Sequence, residues 1–297
     1  MLGRAVSNDG YDSRRLKQPP SAHTIRRTPM EQLYVFGTGN AAVTHCYNTC
    51  FAIRDGEEYF MVDAGGGNGI LRILEDMQVP LAKIHHIFVT HEHNDHILGM
   101  VWMVRMIATD MLKGKYEGTL TIYCHRELID TIKTLCQLTI QKKFCNLFDD
   151  RILFAEVTDG CTKNILDHEV TFFDLLSTKA KQFGFAFRLN DGQKLVCAGD
   201  EPVNPGRFAY LEGAHWLLTE AFCLYGDRDR FNPYEKHHST VKDAAVLAEA
   251  NHVPNLVLWH TEDKTIATRK EMYTAEGQIY YHGRLFVPDD GEVIRLG

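Results

Sequence analysis

His91-Glu92-His93-Asn94-Asp95-His96 gathers three imidazoles and the carboxylate of Asp95 within six residues, directly after the strand-like run Ile84 to Val89. Neutral imidazole nitrogens and carboxylate oxygens are the donors that Zn²⁺ and related divalent ions accept at neutral pH. His91 and His93 stand two apart, so in extended backbone both side chains leave on the same side and can grip one ion. Asp95 and His96 are adjacent and would point apart in a strand; a turn there aims them at a second ion beside the first. The stretch therefore reads as a metal site at a strand end, with hydrolysis as its leading chemistry. A solvated, His-rich turn is the bland alternative, and it requires these residue types to fall at these offsets by chance.

The rest of the chain supplies a large core around that stretch. It has 297 residues, of which 44% are hydrophobic and 24% charged, the composition of a globular protein. No apolar run approaches the roughly 20 residues that span a bilayer, and the N-terminus lacks the apolar core of a secretory signal. A cytoplasmic protein with no membrane partner is the expectation. The eight cysteines are scattered without a C-x-x-C pair and read as free thiols.

Residues 1–29 differ in character. Six Arg and Lys against Asp9 and Asp12 give them a net +4, which leaves −11 for residues 30–297 out of the total of −7. With Pro19, Pro20 and Pro29 and little apolar periodicity, they read as a leader, tag-derived or weakly ordered, ahead of a single domain over 30–297. An acidic body can grip a long polyanion only through a local basic patch.

After Met30, strand and helix patterns alternate, as in an α/β protein. Strands are expected at 32–37, 49–54, 59–64, 86–90, 120–124, 170–175, 184–189, 194–198, 216–220 and 256–260, and helices at 69–77, 97–113, 127–138 and 241–251. Ser239 and Thr240 are acceptable N-caps for the last helix, with Asp243 favouring its positive end. The glycine-rich segments 37–40 and 65–69 lack Walker and Rossmann spacing and read as tight strand-to-helix turns; the functional alternative is that they let backbone approach the metal site or a bound phosphate. Asp63, just before the second, is placed to orient ligand histidines by accepting their hydrogen bonds.

A dinuclear site needs further donors at strand ends. Asp200 closes the run Lys194 to Gly199 and could bridge two ions. His260 closes Asn255 to Trp259, Glu220 closes Trp216 to Thr219, and His238 precedes a helix. Any one of these reads as surface polarity; four punctuating buried strands do not.

Together these residues resemble the metallo-β-lactamase fold superfamily, in its ribonuclease Z-like branch. The resemblance covers Met30 to Gly297. It rests on Phe36-Gly37-Thr38-Gly39 with Asn48, Val62-Asp63-Ala64-Gly65, the His-x-His-x-Asp-His core with Gly99, Gly199-Asp200, Glu220-Ala221, His238-Ser239-Thr240 and His260. It implies a four-layer αβ/βα sandwich and one or two ions, Zn²⁺ first, with Mn²⁺ or Fe²⁺ open. His91 and His93 would bind the first ion, Asp95, His96 and His260 the second, and Asp200 would bridge. Asp95, Glu220 and His238 would form the catalytic proton relay, and the chain would be a homodimer.

Departures from that pattern are specific. Leu176 stands where the branch has another first-site histidine, and His168 lies eight residues too early. Thr219 replaces a histidine and Tyr47 an arginine. The arm that clamps transfer RNA would fall between Leu176 and Asp200, where too few residues lie to build it. The resemblance thus implies a metal-dependent phosphodiesterase acting, by metal-activated water with His238 and Glu220 relaying protons, on a small ester or short nucleic acid rather than intact transfer RNA. A carboxylic-ester or lactone hydrolase with the same centre and a non-catalytic metal-binding scaffold are the alternatives. If Leu176 marks a lost ligand, Leu176→His should strengthen the first site.

Overall fold

The computed structural model describes residues 1–3 and 30–296, so the leader reading of 4–29 lies outside the described residues. Fourteen strands run in chain order as β1 (Glu31–Gly37), β2 (Cys50–Asp55), β3 (Glu58–Val62), β4 (Ile84–Phe88), β5 (Leu120–Cys124), β6 (Ile152–Glu156), β7 (Thr162–Ile165), β8 (His168–Asp174), β9 (Phe183–Arg188), β10 (Lys194–Cys197), β11 (Trp216–Glu220), β12 (Asn255–Trp259), β13 (Arg284–Phe286) and β14 (Val293–Leu296). They form two seven-stranded sheets, ordered β14-β1-β2-β3-β4-β5-β6 and β13-β12-β11-β10-β9-β8-β7. The α-helices are α1 (Gly69–Asp76), α2 (Asn94–Leu112), α3 (Arg126–Thr139), α4 (Lys142–Cys145), α5 (Arg228–Phe231), α6 (Val241–Ala250) and α7 (Ile266–Tyr280).

Between the sheets lies an apolar layer to which both contribute alternate side chains, among them Val35, Phe51, Phe60 and Phe88 from one and Phe172, Phe185, Trp216 and Trp259 from the other. Its rings interlock: Phe51 stacks on Trp259 at 4.6 Å, and Phe60 meets Phe185 edge-on at 5.5 Å. Each such ring taken out of water contributes about 1.5–3 kcal/mol. The opposite face of the first sheet packs under α1, α2 and α3, and that of the second under α6 and α7. The result is a four-layer α/β/β/α sandwich.

Strand direction decides where chemistry can gather. β3, β4, β5 and β6 are mutually parallel in the first sheet, as are β10, β11, β12 and β13 in the second. In parallel sheets ligands bind at the carboxyl ends of the strands, and here both sets end on the same rim. All ten expected strands are present; β6, β7, β13 and β14 are additional. All eight cysteines are free.

Candidate metal centre

β4 delivers His91 and His93 to the rim, and the chain turns at His93 directly into α2, whose first turn holds Asp95 and His96. The change from strand to helix points Asp95 and His96 inward, and a carboxylate in the first turn suits the positive helix end. Gly99 allows the helix to approach: a Cβ there would stand 1.9 Å from the Ala64 carbonyl oxygen. Asp200 follows β10, Glu220 ends β11 and His260 follows β12. Asp63, after β3, and His260 both adopt left-handed backbone, with φ of 57° and 55°, a conformation that costs about 1–3 kcal/mol in a residue other than glycine and clusters at functional sites.

Each buried histidine is oriented by a hydrogen bond at Nδ1. His96 donates from Nδ1 to Asp63 Oδ2 at 2.8 Å. The Thr90 hydroxyl donates to that same oxygen at 2.8 Å and, its proton committed, accepts from His91 Nδ1 at 2.9 Å. The Thr49 hydroxyl donates to the Gly39 carbonyl at 3.0 Å and accepts from His260 Nδ1 at 3.3 Å. Three Nε2 atoms are thereby left facing inward, and all converge on Asp200 Oδ2: His91 at 3.6 Å, His96 at 3.5 Å and His260 at 3.5 Å. Asp95 Oδ2 lies 3.3 Å from His96 Nε2, and His93 Nδ1 lies 2.8 Å from His91 Nε2.

This donor set fits divalent ions. His91, His96 and Asp200 form one group within metal-binding reach of one another, and Asp95, His96 and His260 a second that overlaps it. His96 Nε2 is buried with no hydrogen-bond partner, the orphan atom that an ion would satisfy. Burial drives His91 and His260 toward the neutral form. Burial would raise the acids, but the imidazoles outweigh it: His91, His96 and His260 hold Asp200 well below the usual carboxylate range, and His96 does the same for Asp95. His96 itself is raised, because Asp63 and Asp95 outweigh its burial.

Beside the cluster, His238 donates from Nδ1 to the Asp200 backbone carbonyl at 3.0 Å and stacks on Phe222 with ring centres 5.0 Å apart. Glu220 Oε2 approaches the same nitrogen at 3.7 Å, and its Oε1 accepts the Ser239 backbone N–H. Burial raises the fully enclosed Glu220 carboxyl well above its ordinary value and pushes His238 down to about 3. A cavity of about 420 Å³ opens in front, lined by His93, Asp95, Asp200, His238 and His260 with Asn40, Phe222, Lys179 and Lys236.

A family model described as Anti-Pycsar protein Apyc1 matches residues 31–273. The chain belongs to that family. It is also similar to proteins named ribonuclease Z: that of Methanococcus aeolicus is 32% identical, covering 84% of this chain and 88% of the relative. For that of Phocaeicola vulgatus the figures are 31%, 77% and 86%. Among solved structures, the metallo-β-lactamase fold protein YhfI of Bacillus subtilis superposes with a TM-score of 0.71 at 19% identity, over 89% of this chain and 99% of that one. The resemblance to the metallo-β-lactamase fold and its ribonuclease Z-like branch therefore holds.

Within this family member, the segment before β9 corrects one expectation. Leu176 is not at the centre: it is 44% exposed, with φ of 59°, and its backbone N–H is bonded to the Asp174 side chain. The side chain that reaches His91 and Asp200 from this segment is Gln182. His168 is also elsewhere, bonded to the Arg188 carbonyl and to Asp55. Tyr47 fills the space over Gly65 and Gly69, and its hydroxyl donates to the Gly67 carbonyl at 2.7 Å. Gln182, Thr49 and Thr90 were not foreseen, since a lone amide or hydroxyl carries no ligand signature.

Proposed function

We propose that the chain is a cytoplasmic, metal-dependent phosphodiesterase acting on small diesters or short nucleic-acid ends, with Zn²⁺ as its first-choice ion and, by resemblance alone, a homodimeric state. The observation that carries this reading is the convergence of three oriented Nε2 atoms on one Asp200 oxygen, beside a histidine that can exchange protons. His91, His93, Asp95, His96, His260 and Asp200 would hold the ions. A bound divalent ion supplies Lewis acidity, activating water and neutralising charge on the phosphoryl group.

The chain's own groups do the rest. With Nδ1–H bonded to the Asp200 carbonyl, His238 keeps Nε2 free to take a proton from the attacking water and return it to the leaving oxygen, work usually worth about 10² to 10⁴ in rate. Glu220, whose Oε2 lies 3.7 Å from His238 Nδ1, would complete the relay with Asp95. Lys179 adds positive charge at the cavity mouth and is anchored by Glu201 at 3.3 Å and the Lys236 carbonyl at 3.0 Å. Substrate size follows from the segment 176–200, which is spent on a loop, β9, a short turn and β10, so that no arm extends there to clamp a folded RNA.

Assaying bis(p-nitrophenyl) phosphate beside p-nitrophenyl acetate tests the assignment. The diester should be preferred, and His238→Ala should lower kcat for it at least about 100-fold. Preference for the carboxylic ester would reject the reading.

A further inference from the structure

Gln182 is 1% exposed and sits inside the centre without being an acid or an imidazole. Its Nε2 donates to Asp200 Oδ1 and lies 3.2 Å from His91 Nδ1. Its Oε1 is buried with no hydrogen-bond partner. The amide lies against bare backbone, since a Cβ on Gly199 would stand 3.1 Å from its carbonyl carbon. Main-chain bonds fix its position: the Leu175 N–H donates to the Gln182 carbonyl at 2.8 Å, and the Phe183 N–H to the Thr90 carbonyl at 3.1 Å. This brings Gln182 beside the strand end that carries His91.

The consequence is an imbalance. Gln182 occupies Asp200 Oδ1, so Asp200 offers only Oδ2 to ions. With the ligands divided as the resemblance implies, Asp95, His96 and His260 with that oxygen would give one ion four donors, whereas His91 and His93 with the same oxygen would give the other three. The side chain beside His91 is an amide that turns its N–H₂ to Asp200, and a nitrogen donating in this way cannot coordinate. Zinc favours four-coordination, and a site short of a protein donor holds it less tightly.

We infer that Gln182 is the positioning residue of the centre: it locks Asp200 in place beside His91 and makes the two ion sites unequal, with the His91 and His93 site the weaker. This rests on the proposed metal-dependent function, but it is tested by binding. The full chain, stripped with chelator, is titrated with Zn²⁺ by calorimetry, and retained zinc is counted by mass spectrometry. Two steps separated at least about tenfold in Kd are expected. Gln182→His should bring them within about threefold, whereas Leu176→His should leave the separation unchanged. Gln182→Ala, which removes the lock without adding a ligand, should weaken both steps, because both share Asp200. Melting of each metal-free variant checks that it folds. Equal steps in the unaltered chain, or narrowing by Leu176→His and not by Gln182→His, would overturn the inference. Unequal steps in a protein that hydrolyses neither ester would reject the proposed function and leave this inference standing; absence of Zn²⁺ binding would reject both.

Discussion

Asp63 never faces the cavity, yet its two oxygens accept from the Thr90 N–H, the Thr90 hydroxyl and His96 Nδ1. One carboxylate thus sets the ring orientation of His96 directly and of His91 through Thr90. Asn tolerates the left-handed backbone found there, so Asp63→Asn tests the hydrogen bonds rather than the turn. It should weaken Zn²⁺ binding about 10- to 100-fold, read by competition with a chromophoric chelator. The ionisable members of the centre were legible in the sequence because histidine and aspartate interrupt apolar runs at β4, β10 and β12. Gln182 was not, because its place depends on the path of the loop after Leu175. The resemblance pointed to Leu176, which the folded loop turns toward solvent.

At the scale of the element, the four strands that the pattern did not reveal are the four sheet edges: β14 and β6 in one sheet, β13 and β7 in the other. Edge strands are covered on fewer sides, so short polar sequences such as Thr162-Lys163-Asn164-Ile165 suffice without an apolar run; β6 does carry one, Ile152-Leu153-Phe154-Ala155, and was missed all the same. Helix α7 hid for a related reason, as its buried side is made of Arg269, Tyr273 and Gly277. The guanidinium of Arg269 donates from Nη1 to Thr38 and Thr261 and from Nη2 to the Pro288 carbonyl and Asp289, while its Nε is buried without a partner. By contrast α6 was legible at its start, where Thr240 and Asp243 form a reciprocal capping box. Thr240→Ala should cost about 1 kcal/mol in denaturant unfolding. The loop over the cavity hangs on Asp263, which accepts the N–H groups of Thr44 and His45. Burial opposes ionisation of Asp263, but those donors and Lys264 outweigh it and bring its pKa from 3.8 down to about 2. A carboxyl depressed on folding stabilises above its unfolded pKa and loses that contribution as pH falls through the folded value. Asp263→Asn should therefore melt lower than the unaltered chain at neutral pH, and the gap should close as pH falls from about 4 to about 2.

Across the whole molecule, the centre joins two half-structures. His91, His93, Asp95 and His96 belong to the first sheet and its helices, and Asp200, Glu220 and His260 to the second. An ion held between them binds the folded chain and not the unfolded one. At a free concentration of 100 times Kd it should add about 2.7 kcal/mol of stability, measurable as a higher melting temperature in Zn²⁺ than in chelator. Unchanged melting would mean that the donors do not act together.

The sheets are also closed by the far end of the sequence. Glu31 lies opposite Leu296 in the β1–β14 ladder, and Asp290 bonds to Thr38 and Tyr47. For a chain emerging from the ribosome this sets an order of events: β1 is made early but keeps one edge open until Val293–Leu296 has cleared the exit tunnel. A chain halted before Val293 would carry every donor of the centre on a sheet that lacks this edge strand.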